Sequence, residues 1–272
     1  MRMFPCGENR AETSLPAGRL RPYICEVRGS DHSCLEDVDR AARKYDGEKV
    51  TKGFFITGTD TGVGKTALSA LLVAALDAFY WKPIQTGSIE GTDRETVRRL
   101  AEVPDERLMP EAYCFEPPVS PHLAAREAGV WIRIDNLAWP PAEPHDAACT
   151  WIVEGAGGVL VPVNESETMI DLMRHIDLPV LIAARSTLGT INHTLLTLAA
   201  LRASNLEVRG VVFVGDAHEE NRRAIEHYGE TRVLGRIPWT QPLNRATLLD
   251  AFARRFDRAA LLDAGAMPAA AG

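Results

Sequence analysis

The residues best suited to chemistry on phosphate stand in one short run, Gly58-Thr59-Asp60-Thr61-Gly62-Val63-Gly64-Lys65-Thr66. Glycines let the backbone curl until successive N–H groups point inward at an anion. Lys65 would reach the β- and γ-phosphates of a nucleotide, and the Thr66 hydroxyl would ligate magnesium. The run follows Gly53-Phe54-Phe55-Ile56-Thr57, a short apolar stretch that reads as a buried parallel strand. It precedes the Ala- and Leu-rich stretch Ala67–Leu76, which reads as a helix. Strand, glycine loop, Gly-Lys-Thr and helix form the setting a phosphate loop requires, with the positive end of the helix dipole at the ligand. Nucleotide contacts are therefore expected at Gly62, Val63, Gly64, Lys65, Thr66 and Ala67. The first glycine stands one residue earlier than in the common spacing, because position 59 is Thr. Such loops serve kinases, switches, motors and ligases alike, so the reaction must be read from residues further along.

A second lysine lies in Phe79-Tyr80-Trp81-Lys82-Pro83-Ile84-Gln85-Thr86-Gly87. This stretch predicts a strand over 80–84 and its exit turn, which would put the Lys82 ammonium at the carboxyl edge of a parallel sheet. Open α/β sheets bind ligands at that edge. The bland alternative is a solvated surface lysine. Gly91-Thr92-Asp93 opens a helix with Thr92 or Asp93 as its cap and Glu95 and Thr96 in the first turn, and by itself Asp93 reads as no more than a cap. Trp151-Ile152-Val153-Glu154-Gly155-Ala156-Gly157-Gly158 predicts a strand over 151–154 that ends in a carboxylate, followed by a glycine-rich loop. That is the layout of a Walker-B-like magnesium site with Glu in place of Asp; its alternative is a tight turn with Glu154 in water.

Together these segments resemble the dethiobiotin synthetases, ATP-dependent carboxylases that close the ureido ring in biotin synthesis. The resemblance rests on Thr57 to Thr61 with Gly64-Lys65-Thr66, Trp81 to Gly87, Ser120-Pro121-His122 and Val153 to Gly158. Leu188-Gly189-Thr190-Ile191-Asn192-His193 and Ile237-Pro238-Trp239 complete it, in the family's order, over roughly residues 52–240. It implies a homodimer that uses ATP, Mg2+, CO2 and 7,8-diaminononanoate. By the resemblance, Lys65 and Lys82 are catalytic, and Thr66, Asp93 and Glu154 hold the metal. Gly155, Ala156, Gly157, Asp216, Pro238 and Trp239 join the nucleotide site. Thr61, Lys82 and Thr86 contact substrate, and Gly189, Thr190, Ile191 and Asn192 receive its carboxylate across a dimer interface. One departure stands out. The family often reads adenine with an Asn-Asp pair after the fifth strand, whereas Gly215 precedes Asp216 here, so no side-chain amide is available at 215.

These residues need a scaffold that brings distant segments to one edge. Apolar stretches at 53–57, 80–84, 151–154, 180–184, 210–214 and 233–236 alternate with helical stretches, which predicts an α/β fold with one doubly wound, mostly parallel sheet of the P-loop NTPase kind. Right-handed crossovers then place loops 58–66, 82–87, 155–160 and 185–192 on one edge. A helix is expected over Thr194–Leu201, behind a loop at 189–193.

Of the 272 residues, 46% are apolar and 25% charged, and 30 basic residues against 37 acidic ones leave a net charge of −7. That balance disfavours a nucleic-acid partner held by phosphate neutralisation. The absence of an apolar run of about 18 residues disfavours a membrane span. Five cysteines do not make a disulfide scaffold in a chain of this length, and a cytoplasmic enzyme is expected. Residues 1–50 mix Pro, Gly and charge without apolar period and read as a mostly disordered extension or the product of an upstream start codon, neither a signal nor a transit peptide. A short helix over Leu35–Tyr45 is their one expected element. The synthetase domain is expected over 51–265, with a frayed tail at 266–272. Two other readings are weighed. A P-loop amidoligase would need a glutamine-hydrolysing domain for which there is no room. A partition-type ATPase would carry a second lysine in the phosphate loop, where Asp60 stands.

Overall fold

A computed structural model describes residues 52–139 and 149–262. The expected helix over Leu35–Tyr45, the extension at 1–50 and the tail at 266–272 lie outside the described residues.

The apolar stretches form a parallel sheet in the order β2-β5-β1-β6-β7-β8. Its strands are β1 (Lys52–Gly58), β2 (Phe79–Trp81), β5 (Thr150–Gly158), β6 (Val180–Arg185), β7 (Val208–Val214) and β8 (Val233–Ile237). A second, two-stranded parallel sheet pairs β3 (Ile84–Thr86) with β4 (Tyr113–Phe115). β1 lies at the centre, with Phe55 beside Val153 of β5 and Ile56 beside Leu181 of β6. The central strands are near-continuous apolar runs because helices cover both faces of the sheet. One face packs Phe55, Val153, Ile182 and Leu198, and the other packs Ile56, Leu71, Ile152 and Leu248.

The helices are α1 (Lys65–Leu76), α2 (Asp93–Ala101), α3 (Pro121–Glu127), α4 (Met169–Ile176), α5 (Thr190–Ala203), α6 (Glu219–Gly229), α7 (Arg245–Arg255) and α8 (Arg258–Leu262). The expected doubly wound fold is what forms.

Three local expectations are corrected. The strand expected over 80–84 is two strands in two sheets, because Pro83 has no N–H to give to a ladder and restricts Lys82 before it. The chain therefore leaves the main sheet at Lys82, and the Pro83 carbonyl accepts from the N–H groups of Ala112 and Tyr113 at 3.0 Å each. Glu154 does not end its strand: β5 runs on to Gly158, which pairs with Gly58 after a register shift in β1. The helix expected over Thr194–Leu201 starts four residues earlier, at Thr190, with Gly189 as its left-handed N-cap at φ 92°. The β-branched and amide residues of 190–192 have modest helix propensity, and their packing overrides it. Thr190 itself is buried.

Candidate active site

The phosphate loop spans the turn from β1 to α1. Gly64 caps α1 at φ 101°, a left-handed conformation, and a Cβ there would lie 2.7 Å from a methyl of Val214. Only glycine fits without strain. Lys65 is the first residue of the helix, and its Nζ donates to the Asp60 carbonyl at 3.0 Å, folding the side chain back into the loop. Asp60 Oδ1 in turn accepts from the Thr61 N–H at 2.7 Å. Arg185, at the end of β6, donates to the Thr61 carbonyl at 3.1 Å and ties the loop to the next strand.

The remaining functional side chains converge on Thr66. Thr92 caps α2, with a reciprocal bond to Glu95, so Asp93 is not the cap. Asp93 is the first helical residue, its N–H held by Gln85 Oε1 at 3.2 Å. Its carboxylate is thereby free to face the site, and Oδ1 accepts from the Thr66 hydroxyl at 2.6 Å. Glu154 Oε1 lies 3.1 Å from the same hydroxyl. Its other oxygen, Oε2, accepts from Ser69 Oγ at 2.7 Å and from the Tyr80 hydroxyl at 3.0 Å. Lys82 completes the cluster, paired with Asp93 Oδ2 and lying 3.5 Å from Glu154 Oε1.

The electrostatics follow from this packing. Burial works against the charge of Lys82, but the Glu154 and Asp93 carboxylates outweigh it and raise its pKa above the ordinary lysine value. Burial would raise the Asp93 pKa, yet Lys82, the Thr66 hydroxyl and Lys65 together hold it below the ordinary carboxylate value. Lys65 behaves oppositely to Lys82. Burial lowers its pKa, and the attraction of Glu154 is partly cancelled by repulsion from Lys82. Burial, reinforced by Glu154 and Asp93, pushes the Tyr80 phenol well above its ordinary value, so its hydroxyl remains a donor.

One cleft of about 510 Å³ gathers Thr61, Gly62, Gly64, Lys65, Thr66, Lys82, Thr86, Asp93, Glu154, Ala156 and Gly157. Val119 and Ser120 close it from the loop before α3. The expected Gly189, Thr190, Ile191 and Asn192 do not line this cleft; they form the start of α5. Asp216, Pro238 and Trp239 also lie outside it, at the adjoining exits of β7 and β8, where the Gly215 N–H donates to the Ile237 carbonyl at 2.9 Å. A Cβ on Gly215 would meet Ser186 Oγ at 2.7 Å and Trp239 Nε1 at 3.2 Å, so this packing leaves no room for an amide side chain.

Sequence reasoning missed Ser69, Tyr80, Gln85 and Arg185. Ser69 carried a signal, since it follows Thr66 by three residues and so shares its helix face. In the strand expected over 80–84, Tyr80 would share a face with Lys82 by the same logic at period two. Neither periodicity shows that Glu154 is the common partner.

Thr66, Asp93 and Glu154 offer three convergent oxygens, the hard donor set that magnesium takes in nucleotide sites. The residues present therefore fit that ion.

A parallel sheet with a phosphate loop, two lysines and a carboxylate pair at its edge defines a P-loop nucleotide-binding protein. A family described as an AAA domain matches residues 52–247. The ATP-dependent dethiobiotin synthetase BioD of Rhodopseudomonas palustris (strain BisA53) is 50% identical over 202 residues, covering 74% of this chain and 92% of that protein. Its namesake from Novosphingobium aromaticivorans is 49% identical over 203 residues, covering 75% and 96%. Among solved structures, a ParA family ATPase from Chlorobium tepidum TLS covers 74% of this chain and 97% of its own, with TM-score 0.44 and 12% identity. The chain belongs to the ATP-dependent dethiobiotin synthetase family, ligases of biotin biosynthesis.

Proposed function

We propose that this protein converts 7,8-diaminononanoate, CO2 and ATP into dethiobiotin, ADP and phosphate. The observation that carries this reading is the meeting of Lys65 and Lys82 with Thr66, Asp93 and Glu154 in one cleft beside a phosphate loop. CO2 adds to one amine of the diamine and gives a carbamate. A carbamate oxygen attacks the γ-phosphate of ATP, displacing ADP. The second amine then attacks the carbamoyl carbon, phosphate leaves, and the cyclic urea closes.

Each step gathers negative charge, so the protein's task is to hold oxygens close and in line. Lys65 neutralises the β- and γ-phosphates from within the loop. Lys82, in the same cleft, holds the carbamate and the transferring phosphoryl group, which requires it to exchange its carboxylate partners for the reactants. Thr66, Asp93 and Glu154 would hold magnesium, which supplies further neutralisation on the terminal phosphates. Thr61 and Thr86 contact the substrate, and the base lies near Asp216, Pro238 and Trp239. The dipole at the start of α5, over Gly189, Thr190, Ile191 and Asn192, suits the substrate carboxylate of a partner copy in a homodimer. The acidic chain and the absence, among the described residues, of any helix able to cross a membrane accord with a cytoplasmic enzyme without nucleic-acid partners.

ADP formation is expected to require both the diamine and bicarbonate, with dethiobiotin as product by mass spectrometry. ADP release that ignores either one, or that responds instead to DNA or lipid, overturns the reading.

A further inference from the structure

The two oxygens of Glu154 have different surroundings. Oε1 faces Thr66 and Lys82, while Oε2 is turned away from the cleft and held by two hydroxyls, Ser69 Oγ at 2.7 Å and the Tyr80 hydroxyl at 3.0 Å. Ser69, Tyr80 and Glu154 are all buried, so water does not compete for these bonds. Ser69 comes from α1 and Tyr80 from β2, two elements that flank β5 independently. A carboxylate pinned in this way is preorganised to offer one oxygen.

We propose that Ser69 and Tyr80 are positioning residues that force Glu154 to bind its cation through a single oxygen and so make the site discriminate magnesium from calcium. The inference rests on the magnesium reading of the preceding section. Magnesium demands near-ideal octahedral geometry with single-oxygen contacts, whereas calcium readily accepts both oxygens of one carboxylate. Loss of the two hydroxyls frees Oε2 and lets the carboxylate turn toward two-oxygen binding. Residues in this outer position commonly change metal affinity strongly.

The test uses Ser69→Ala, Tyr80→Phe and the double variant of the full chain, each removing a hydroxyl and little volume. Calorimetry measures binding of the β,γ-methylene analogue of ATP with EDTA, with excess Mg2+ and with excess Ca2+. Without metal, the variants are expected to match wild type, since the phosphate loop is untouched. With Mg2+ their affinity is expected to fall about 10-fold, and with Ca2+ severalfold less, so the preference for magnesium narrows. An equal loss in all three conditions marks a merely structural role and overturns the inference, as does an unchanged preference. Should the double variant fail to fold, the single ones decide by the same criterion. A wild-type protein whose nucleotide binding ignores both metals overturns the magnesium reading itself, which separates that failure from this one.

Discussion

At the scale of single residues, Lys82 is the most informative position. It reaches two carboxylates, so its removal does two things. Loss of an oxyanion-type contact costs roughly 3–4 kcal/mol of transition-state stabilisation, and turnover in Lys82→Ala is expected to fall by about two to three orders of magnitude in an ADP-formation assay. Near-normal turnover would refute the role. The variant is expected to keep its fold. The geometry adds that Asp93 and Glu154 then face each other without their shared cation. Lys82→Ala is therefore expected to melt lower than wild type, and added Mg2+ is expected to raise its melting temperature more than it raises that of wild type. Asp93 gives a pH signature. Its folded pKa is depressed below 3.8, so its contribution to stability is present above that value and is lost as pH falls through the folded pKa. Asp93→Asn is expected to cost about 1.5–3 kcal/mol near neutrality, the range for a hydrogen bond to a charged group. The gap between the two melting curves should close progressively below pH 3.8. A gap that is constant down to strong acid would show that the pair is not what stabilises the fold there.

At the scale of elements, the phosphate loop was legible because its chemistry is local: glycines, Lys65 and Thr66 sit side by side in the chain. The two carboxylates were legible only as types at strand and helix ends, each with an ordinary reading as cap or turn. What leaves the Asp93 carboxylate to face the cleft is the cap at Thr92, which relieves it of the capping role. What holds the Glu154 carboxylate at the cleft is its place inside β5, across from Ser69 and Tyr80. The Thr92 cap is local, but the meeting of both carboxylates at Thr66 cannot be read from spacing, because it spans 27 and 88 residues. The break at Lys82-Pro83 was read as one strand for a related reason: propensity sees an apolar run, but the proline decides where the ladder stops. The loop itself gives a sharp test. Gly64→Ala imposes a left-handed alanine, which costs roughly 1–3 kcal/mol, and adds a close contact with Val214 at 2.7 Å. Lower thermal stability and loss of nucleotide binding are expected together, measured by thermal melting and calorimetry. Retained nucleotide affinity would mean that the loop does not need this conformation.

At the scale of the whole molecule, the cleft holds the groups that the proposed phosphate chemistry needs, and its lining has no cation besides Lys65 and Lys82 for a substrate carboxylate. Its two lysines, Lys65 and Lys82, are the ones proposed above for the phosphates and the carbamate. The start of α5 lies elsewhere, and there the buried Thr190 and Thr194 hydroxyls have no hydrogen-bond partner. Close by in the chain lie Leu188 and Leu196, both exposed. Leu196 lines a groove with Leu160 and His193 that runs to Thr61 of the phosphate loop. An apolar surface joining the substrate end of one copy to α5 of another would answer both observations if the chain pairs about a two-fold axis. Burying a leucine side chain is worth about 1.5–3 kcal/mol, and a carboxylate in its place would be left unpaired. Leu196→Asp is therefore expected to shift the protein toward monomer in sedimentation velocity. It should also raise KM for the diamine while leaving nucleotide affinity unchanged, because the phosphate loop of each copy is intact. A wild-type protein that sediments as a monomer at assay concentration, yet closes the ring at full rate, would show that one copy suffices and that the carboxylate is held by some other part of the same chain.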